Sequence, residues 1–280
     1  MIPAAFDYTR ATSIEEAIAA VGGGAKVLAG GQSILPLLKL RLAAADRLVD
    51  IGRIAGLRGY RALPDGGVEI GALTTYAEWQ AATTMPAVAA AIELIADVQV
   101  RNRGTVGGSI AHADPASDLP AIALAFDGSA VLRGPGGERV VPLDEFFLGA
   151  FETAMAPDEI LVAIRRPPVP AGAGFAYRKL AQPASGYSIV GVAAVIGRGG
   201  DGRIHHARVA LTGVHEHAYR APEVEAALVG SDGGEAAVEA AAQHATVDVE
   251  VNSDIHADAA YRAAMAVVYT KRAIEGALGR

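Results

Sequence analysis

The chain has 280 residues, 51% apolar and 20% charged, enough to bury a large core and too hydrophobic for a disordered polymer; at roughly 150 residues per domain the length predicts about two domains. Lysine and arginine number 24 against 31 acids, a formal charge of −7, so the chain lacks the concentrated positive field that nucleic-acid binding requires. Cysteine is absent, which removes disulfides, Cys-ligated zinc and iron–sulfur clusters from this chain and leaves an organic cofactor, or a metal held by His and carboxylates, as the vehicle for any redox role.

In chain order, Ser13 to Glu16 has the spacing of a capping box that opens a short helix to Val21. Lys26 to Ala29 predicts a strand, Ile34 to Leu42 a helix with Pro36 in its first turn, and Arg47 to Ile51 a second strand. Arg58–Leu63 and Val68–Leu73 flank Pro64-Asp65-Gly66-Gly67 as a hairpin. Helices follow at 75–82 and 86–96. From Asp97 to Asp118 there is no clean period, and a loop that long inside a domain is usually functional. A helix over 119–126, a hairpin around Gly134-Pro135-Gly136-Gly137 and a strand over 160–164 complete the first part.

The proline-rich segment Arg166 to Gly172 reads as a linker. It divides the chain into residues 1–170 (subdomains about 1–56 and 57–170) and 173–280. The second part predicts three strands (175–180, 187–196, 204–211) followed by three helices (222–229, 235–245, 257–278), an α+β pattern. On the last helix Tyr261, Met265, Val268 and Ile274 form the expected core face. The N-terminus lacks the basic start and apolar stretch of a secretory signal, and no run of about 18 apolar residues predicts a membrane span. The expectation is a cytoplasmic protein.

Two glycine loops carry the chemistry. Ala29-Gly30-Gly31-Gln32-Ser33 leaves a strand and opens a helix, and Gly104-Thr105-Val106-Gly107-Gly108-Ser109 repeats that composition downstream. Backbone N–H groups at such bends, helped by about half a positive charge at a helix start, suit phosphate oxygens. Two anion sites in one fold suit the pyrophosphate of a dinucleotide. Neither loop is a G-x-G-x-x-G or Walker A sequence, which disfavours the common nucleotide folds.

The first loop continues as Leu37-Leu38-Lys39-Leu40-Arg41-Leu42. The second begins at Arg103 and is followed by Asp114-Pro115 and Asp118-Leu119-Pro120-Ala121. In these motifs and their order the chain resembles, over essentially its whole length, the FAD-binding medium subunits of molybdenum hydroxylases, a family that includes carbon monoxide dehydrogenase flavoproteins and the flavin domain of xanthine dehydrogenase. The resemblance implies a vanillyl-alcohol-oxidase (PCMH)-type fold: two N-terminal subdomains holding FAD and a C-terminal α+β domain with a three-stranded sheet and helices. It implies that Ala29, Gly30, Gly31, Gln32 and Ser33 hold the pyrophosphate, and that Thr105, Gly107, Gly108 and Ser109 hold pyrophosphate and ribityl. It further implies FAD contacts at Ile95, Asp118, Leu161, Lys179 and Tyr187; taken alone, Lys179 also reads as a surface lysine at a strand end.

Ser109 stands where many relatives have Asn, and Ser185-Gly186 replaces a Gly-Asp pair, removing a carboxylate near the flavin. The implied function is electron transfer: FAD here accepts electrons from [2Fe–2S] clusters on a small partner subunit and passes them to quinone, NAD or oxygen. Substrate is oxidised at a molybdopterin centre on a large subunit, and the complex is expected to be a dimer of heterotrimers. A stand-alone PCMH-type flavin oxidoreductase with its own substrate is the alternative, and a scaffold subunit without FAD would predict damaged glycine loops. His215-Glu216-His217 has the look of a ligand set and His205-His206 is a second pair, but neither has another group at ligand spacing, so no metal is expected. For His112, within the long loop, contact with cofactor and with solvent are both open.

Overall fold

A computed structural model describes residues 2–280. The first layer is β1 (Asp7–Arg10), α1 (Ile14–Gly22), β2 (Lys26–Leu28), α2 (Ile34–Leu40) and β3 (Arg47–Asp50), with a parallel sheet ordered β1-β3-β2. Strand β1 was not expected from the sequence: its side chains are all exposed, so it carries no burial pattern. The capping of α1 is half of the expected box. Ser13 Oγ accepts from the Glu16 amide at 3.1 Å, but Glu16 reaches one residue further back, to the Thr12 amide at 2.7 Å.

The second layer comprises β4 (Tyr60–Ala62), β5 (Val68–Gly71), α3 (Tyr76–Ala82), α4 (Pro86–Glu93), α5 (Val98–Arg101), α6 (Val106–His112), α7 (Asp118–Ala125), β6 (Ser129–Gly134), β7 (Gly137–Pro142), β8 (Phe147–Gly149), β9 (Glu152–Thr153) and β10 (Ile160–Arg166). Its antiparallel sheet runs β4-β5-β10-β6-β7, while β8 and β9 pair with each other. The aperiodic stretch 97–118 is therefore not one loop. It contains α5 and α6, capped by the side chains of Asp97 and Thr105, and both are too short to show a 3.6-residue period.

The third layer is β11 (Gly174–Ala181), β12 (Ser188–Arg198), β13 (Ile204–Thr212), β14 (Tyr219–Arg220), α8 (Pro222–Leu228), α9 (Glu235–Ala242) and α10 (Ala259–Ala277). The sheet has four strands, β11-β12-β13-β14, rather than three; β14 has two residues and no alternation to betray it. Strand β12 is buried on both faces. Val190, Val192, Ala194 and Ile196 enter the core under α8–α10, while Ala193 and Val195 face the core of the second layer. This is the two-residue period of a strand serving two cores at once.

Of the four positions expected on the core face of α10, Ile274 is buried and Met265 packs partly against the core. Tyr261 is exposed, and the buried positions are Arg262, Ala266, Thr270, Ala273, Ile274 and Ala277. Small residues let the helix lie close on β11 and β12, and Arg262 is held by the carbonyls of Ile189 (2.7 Å) and Gly213 (2.6 Å). Between the two large sheets runs α7, buried at every position from Asp118 to Ala125, as befits a helix apolar all round. Among the described residues no helix is long and apolar enough to cross a membrane.

Candidate functional site: a cleft where three layers meet

A cleft of about 600 Å³ opens where the three layers meet, within the ~300–1,000 Å³ range of cofactor sites. One wall is the β2–α2 connection. The amides of Gly30, Gly31, Gln32 and Ser33 donate to no backbone carbonyl among the described residues, and Ser33 makes no side-chain cap bond. These four residues line the cleft together with Ala29. Unpaired donors at a strand-to-helix bend form an anion cradle. The bend lies hard against the second glycine loop: a β-carbon on Gly30 would collide with the Arg103 carbonyl. Glycine at 30 is thus what allows the two loops to share one cleft.

The opposite wall is the start of α6, and it works differently from the sequence expectation. Its amides are already engaged: Val106 donates to the Thr74 carbonyl (2.9 Å), Gly107 to that of Ala72 (2.8 Å), Ser109 to that of Thr105 (3.1 Å), and Gly108 to Thr105 Oγ1 (3.2 Å). This wall presents hydroxyls instead. Ser109 Oγ is 2.8 Å from Ser117 Oγ, and Tyr76 is buried beside them in the lining. Burial pushes the Tyr76 phenol up to about 12, against the opposing bond to Ser109, so it stays protonated and able to donate.

The back of the cleft is Asp118, the first residue of α7. Its buried carboxylate accepts from Tyr177 Oη (2.6 Å), Ser188 Oγ (2.7 Å) and Lys179 Nζ (2.9 Å), all from the third layer. Lys179 also donates to the Leu94 carbonyl at 3.0 Å, and its side chain is only 4% exposed, which overturns the surface-lysine alternative. Burial, then the Asp118 charge, raises the Tyr177 phenol well above its ordinary value. The β11–β12 turn supplies the mouth: Ser185, Gly186 and Tyr187 line it, and the Tyr187 phenol is raised by burial and by the carboxylates of Asp114 and Asp118.

Eleven of the fourteen expected contact positions thus converge: Ala29, Gly30, Gly31, Gln32, Ser33, Ile95, Thr105, Gly108, Ser109, Asp118 and Tyr187. Three are not in the lining. Gly107 lies behind the wall, where a β-carbon would strike Ala72. Leu161 is buried in the second-layer core at a bulge of β10, the strand on which α6 packs. Lys179 stands behind Asp118 and reaches the cleft through it. Sequence reasoning missed Tyr76 and Ser117, whose only signals were a helix start and a loop, and left His112 open. His112 lines the cleft, packs at a tilt against Phe151 with 5.1 Å between ring centres, and is lowered by burial against the opposing charge of Asp114.

The FAD binding domain in molybdopterin dehydrogenase matches residues 4–169, and the CO dehydrogenase flavoprotein C-terminal domain matches residues 175–277. The carbon monoxide dehydrogenase medium chain of Hydrogenophaga pseudoflava is 42% identical, the match covering 100% of this chain and 99% of that one. Subunit alpha of the 6-hydroxypseudooxynicotine dehydrogenase complex of Paenarthrobacter nicotinovorans is 36% identical, with 100% and 97% covered. Among solved structures, carbon monoxide dehydrogenase from Hydrogenophaga pseudoflava lacking the Mo-pyranopterin moiety of its molybdenum cofactor superposes with a TM-score of 0.95 at 44% identity, covering 100% and 99%. The chain belongs to the family of FAD-binding medium subunits of molybdenum hydroxylases. It is accordingly an oxidoreductase subunit of the carbon monoxide dehydrogenase type, and its cofactor is FAD.

Proposed function

We propose that this chain carries FAD in the three-layer cleft and serves as the electron-exit subunit of a cytoplasmic molybdenum hydroxylase. In that reading a large subunit holds the molybdenum cofactor, a small one holds [2Fe–2S] clusters, and two such heterotrimers associate. The observation that carries it is the row of unpaired amides from Gly30 to Ser33 facing the hydroxyls of Ser109, Ser117 and Tyr76 across one cleft. Backbone donors on one side suit a diphosphate, and hydroxyls on the other suit a polyhydroxyl chain. Bound FAD supplies a store that takes electrons singly or in pairs, so it can receive them from one-electron carriers and release them to quinone, NAD or oxygen.

The residues of this chain hold and orient. Gly30 to Ser33 neutralise phosphate charge with backbone donors, and Tyr76 and Ser109 fix polar atoms of the linker. Asp118, locked by Tyr177, Ser188 and Lys179, presents a fixed negative edge at the back of the cleft. Gly107 contributes by letting α6 close on β5, and Leu161 by supporting α6 from below. The chain has no cysteine, which supports placing the clusters on another subunit. The division at 166–172, with FAD-binding residues 1–170 ahead of it and residues 173–280 after it, is part of the same proposal. Substrate choice falls to the molybdenum subunit, since relatives whose names specify carbon monoxide and 6-hydroxypseudooxynicotine share this chain's architecture.

The test is to purify the chain from its native host without a tag. A yellow protein that releases FAD on denaturation and co-purifies with a molybdenum subunit and an iron–sulfur subunit is expected. A colourless chain would overturn the cofactor reading, and a yellow chain with no partners would favour the stand-alone flavoenzyme.

A further inference from the structure

The β13–β14 connection carries His215, Glu216 and His217, none of which lines the cleft. Each offers one ligand atom, and the three atoms lie within 4.8 Å of one another. The two imidazoles stand edge to face, 4.9 Å between centres. Both are set in the same sense by the backbone: His215 Nδ1 donates to the Glu250 carbonyl at 2.7 Å and His217 Nδ1 to the Ala218 carbonyl at 2.9 Å. A carbonyl only accepts, so each Nδ1 carries the proton and each Nε2 keeps its lone pair. That is the tautomer, and the outer hydrogen bond, found on metal-ligating histidines.

Glu216 is exposed and forms no ion pair or hydrogen bond among the described residues. Its Oε1 and the Oε2 of Glu152, from β9, both lie within 3.8 Å of the point where a Gly149 side chain would begin. Two carboxylates converge there across the seam between layers.

We propose that His215, Glu216 and His217 bind one divalent transition cation of the zinc class, with Glu152 adding a second negative charge beside it. Bonds of about 2.0–2.1 Å to a tetrahedral centre bring ligand atoms to roughly 3.3 Å apart. Rotation of the exposed Glu216 side chain and small shifts of the half-buried imidazoles close the difference, while the loop backbone stays tied through the Asn252 amide to the Val214 carbonyl at 2.8 Å. Two imidazole nitrogens select Zn²⁺, Ni²⁺ or Co²⁺ over Mg²⁺ and Ca²⁺, which prefer all-oxygen shells. The bound cation ties the β13–β14 loop toward the β8–β9 turn.

The test titrates the untagged, full-length chain with Zn²⁺ by calorimetry and with Co²⁺ by visible absorption. One equivalent is expected to bind, with the absorption of a nitrogen-ligated Co²⁺ centre and without competition from Mg²⁺. Glu216→Gln should weaken binding about tenfold or more, on the scale of lost metal-site groups, and His217→Ala should abolish it. His205→Ala, whose ring instead pairs with Asp201 at 3.0 Å, should bind like the parent. Failure of the parent chain to saturate, or equal affinity in Glu216→Gln, or loss in His205→Ala, overturns the site. Glu216→Gln changes an exposed, unpaired side chain, so the question is decided even if His217→Ala fails to fold.

Discussion

Gly30 and His112 show how single positions tune the cleft. A side chain at 30 has nowhere to go except into the Arg103 carbonyl, so Gly30→Val must push the two glycine loops apart. The expected outcome is a chain purified with little or no flavin, read as the ratio of flavin to protein absorbance. His112 affects stability through protonation. Its folded value is lowered by burial below the ordinary 6.5, and His206 is lowered in the same direction. The unfolded chain therefore binds protons first, so the stability from these neutral rings is lost as pH falls through 6.5 toward the folded values. Glu69 continues the trend at lower pH: burial raises its carboxyl, but bonds from Arg165 and Arg61 hold it below 4.5, so its contribution disappears as pH falls through that value. Urea midpoints should be level between neutrality and about pH 9 and decline on acidification, and His112→Asn should flatten the first part of that decline.

At the scale of elements, α7 is the piece on which both domains rest. Ile122 is fully buried in it, and Ile122→Ala should cost about 2–5 kcal/mol, measured as a lowered urea midpoint with an unchanged slope. The sequence placed α7 to within a residue at each end, 119–126 against Asp118–Ala125, but not its enclosure, because a helix buried on all sides has no polar stripe from which to read its phase. The same limit explains other differences. Strand β12 and the flanking hairpins were legible from β-branched runs and turn glycines, whereas β14 was too short to alternate. On α10 the large apolar side chains marked only part of the buried face, Ile274 and in part Met265, since alanines let the helix approach the sheet. The cleft itself was legible at the first loop, where Gly-Gly followed a strand. The role of α6 was not, because the Val106 and Gly107 amides are consumed by tertiary contacts with Thr74 and Ala72. Tyr76 was hidden for the same reason: nothing local separates a phenol that faces a cofactor cleft from one that fills a core.

For the whole molecule, the Asp118–Lys179–Tyr177–Ser188 cluster is the charged contact that joins the second and third layers out of water. Losing one partner of such a buried pair costs about 3–5 kcal/mol. Lys179→Met should fall near the lower end, because Tyr177 and Ser188 still donate to Asp118. A cycle with Asp118→Asn, followed by thermal melting of the four forms, should show strongly non-additive losses. Additive losses would mean that the ammonium and carboxylate do not stabilise each other. The layers are joined by further hydrogen bonds: Thr212 Oγ1 lies 2.8 Å from the carbonyls of both Pro115 and Ser117 and shares its one proton between them, and the Ser188 and Gly213 amides donate to the carbonyls of Ala116 and Pro115.

Because strand ends from the far side of the proline linker grip the 115–117 turn, that linker is a poor crossover point for building chimeras. A recombinant that swaps everything after residue 172 for the equivalent part of a cousin inherits a turn shaped for a different clasp. Exchanging the turn along with the C-terminal half, so that clasp and clasped travel together, is the design the geometry recommends.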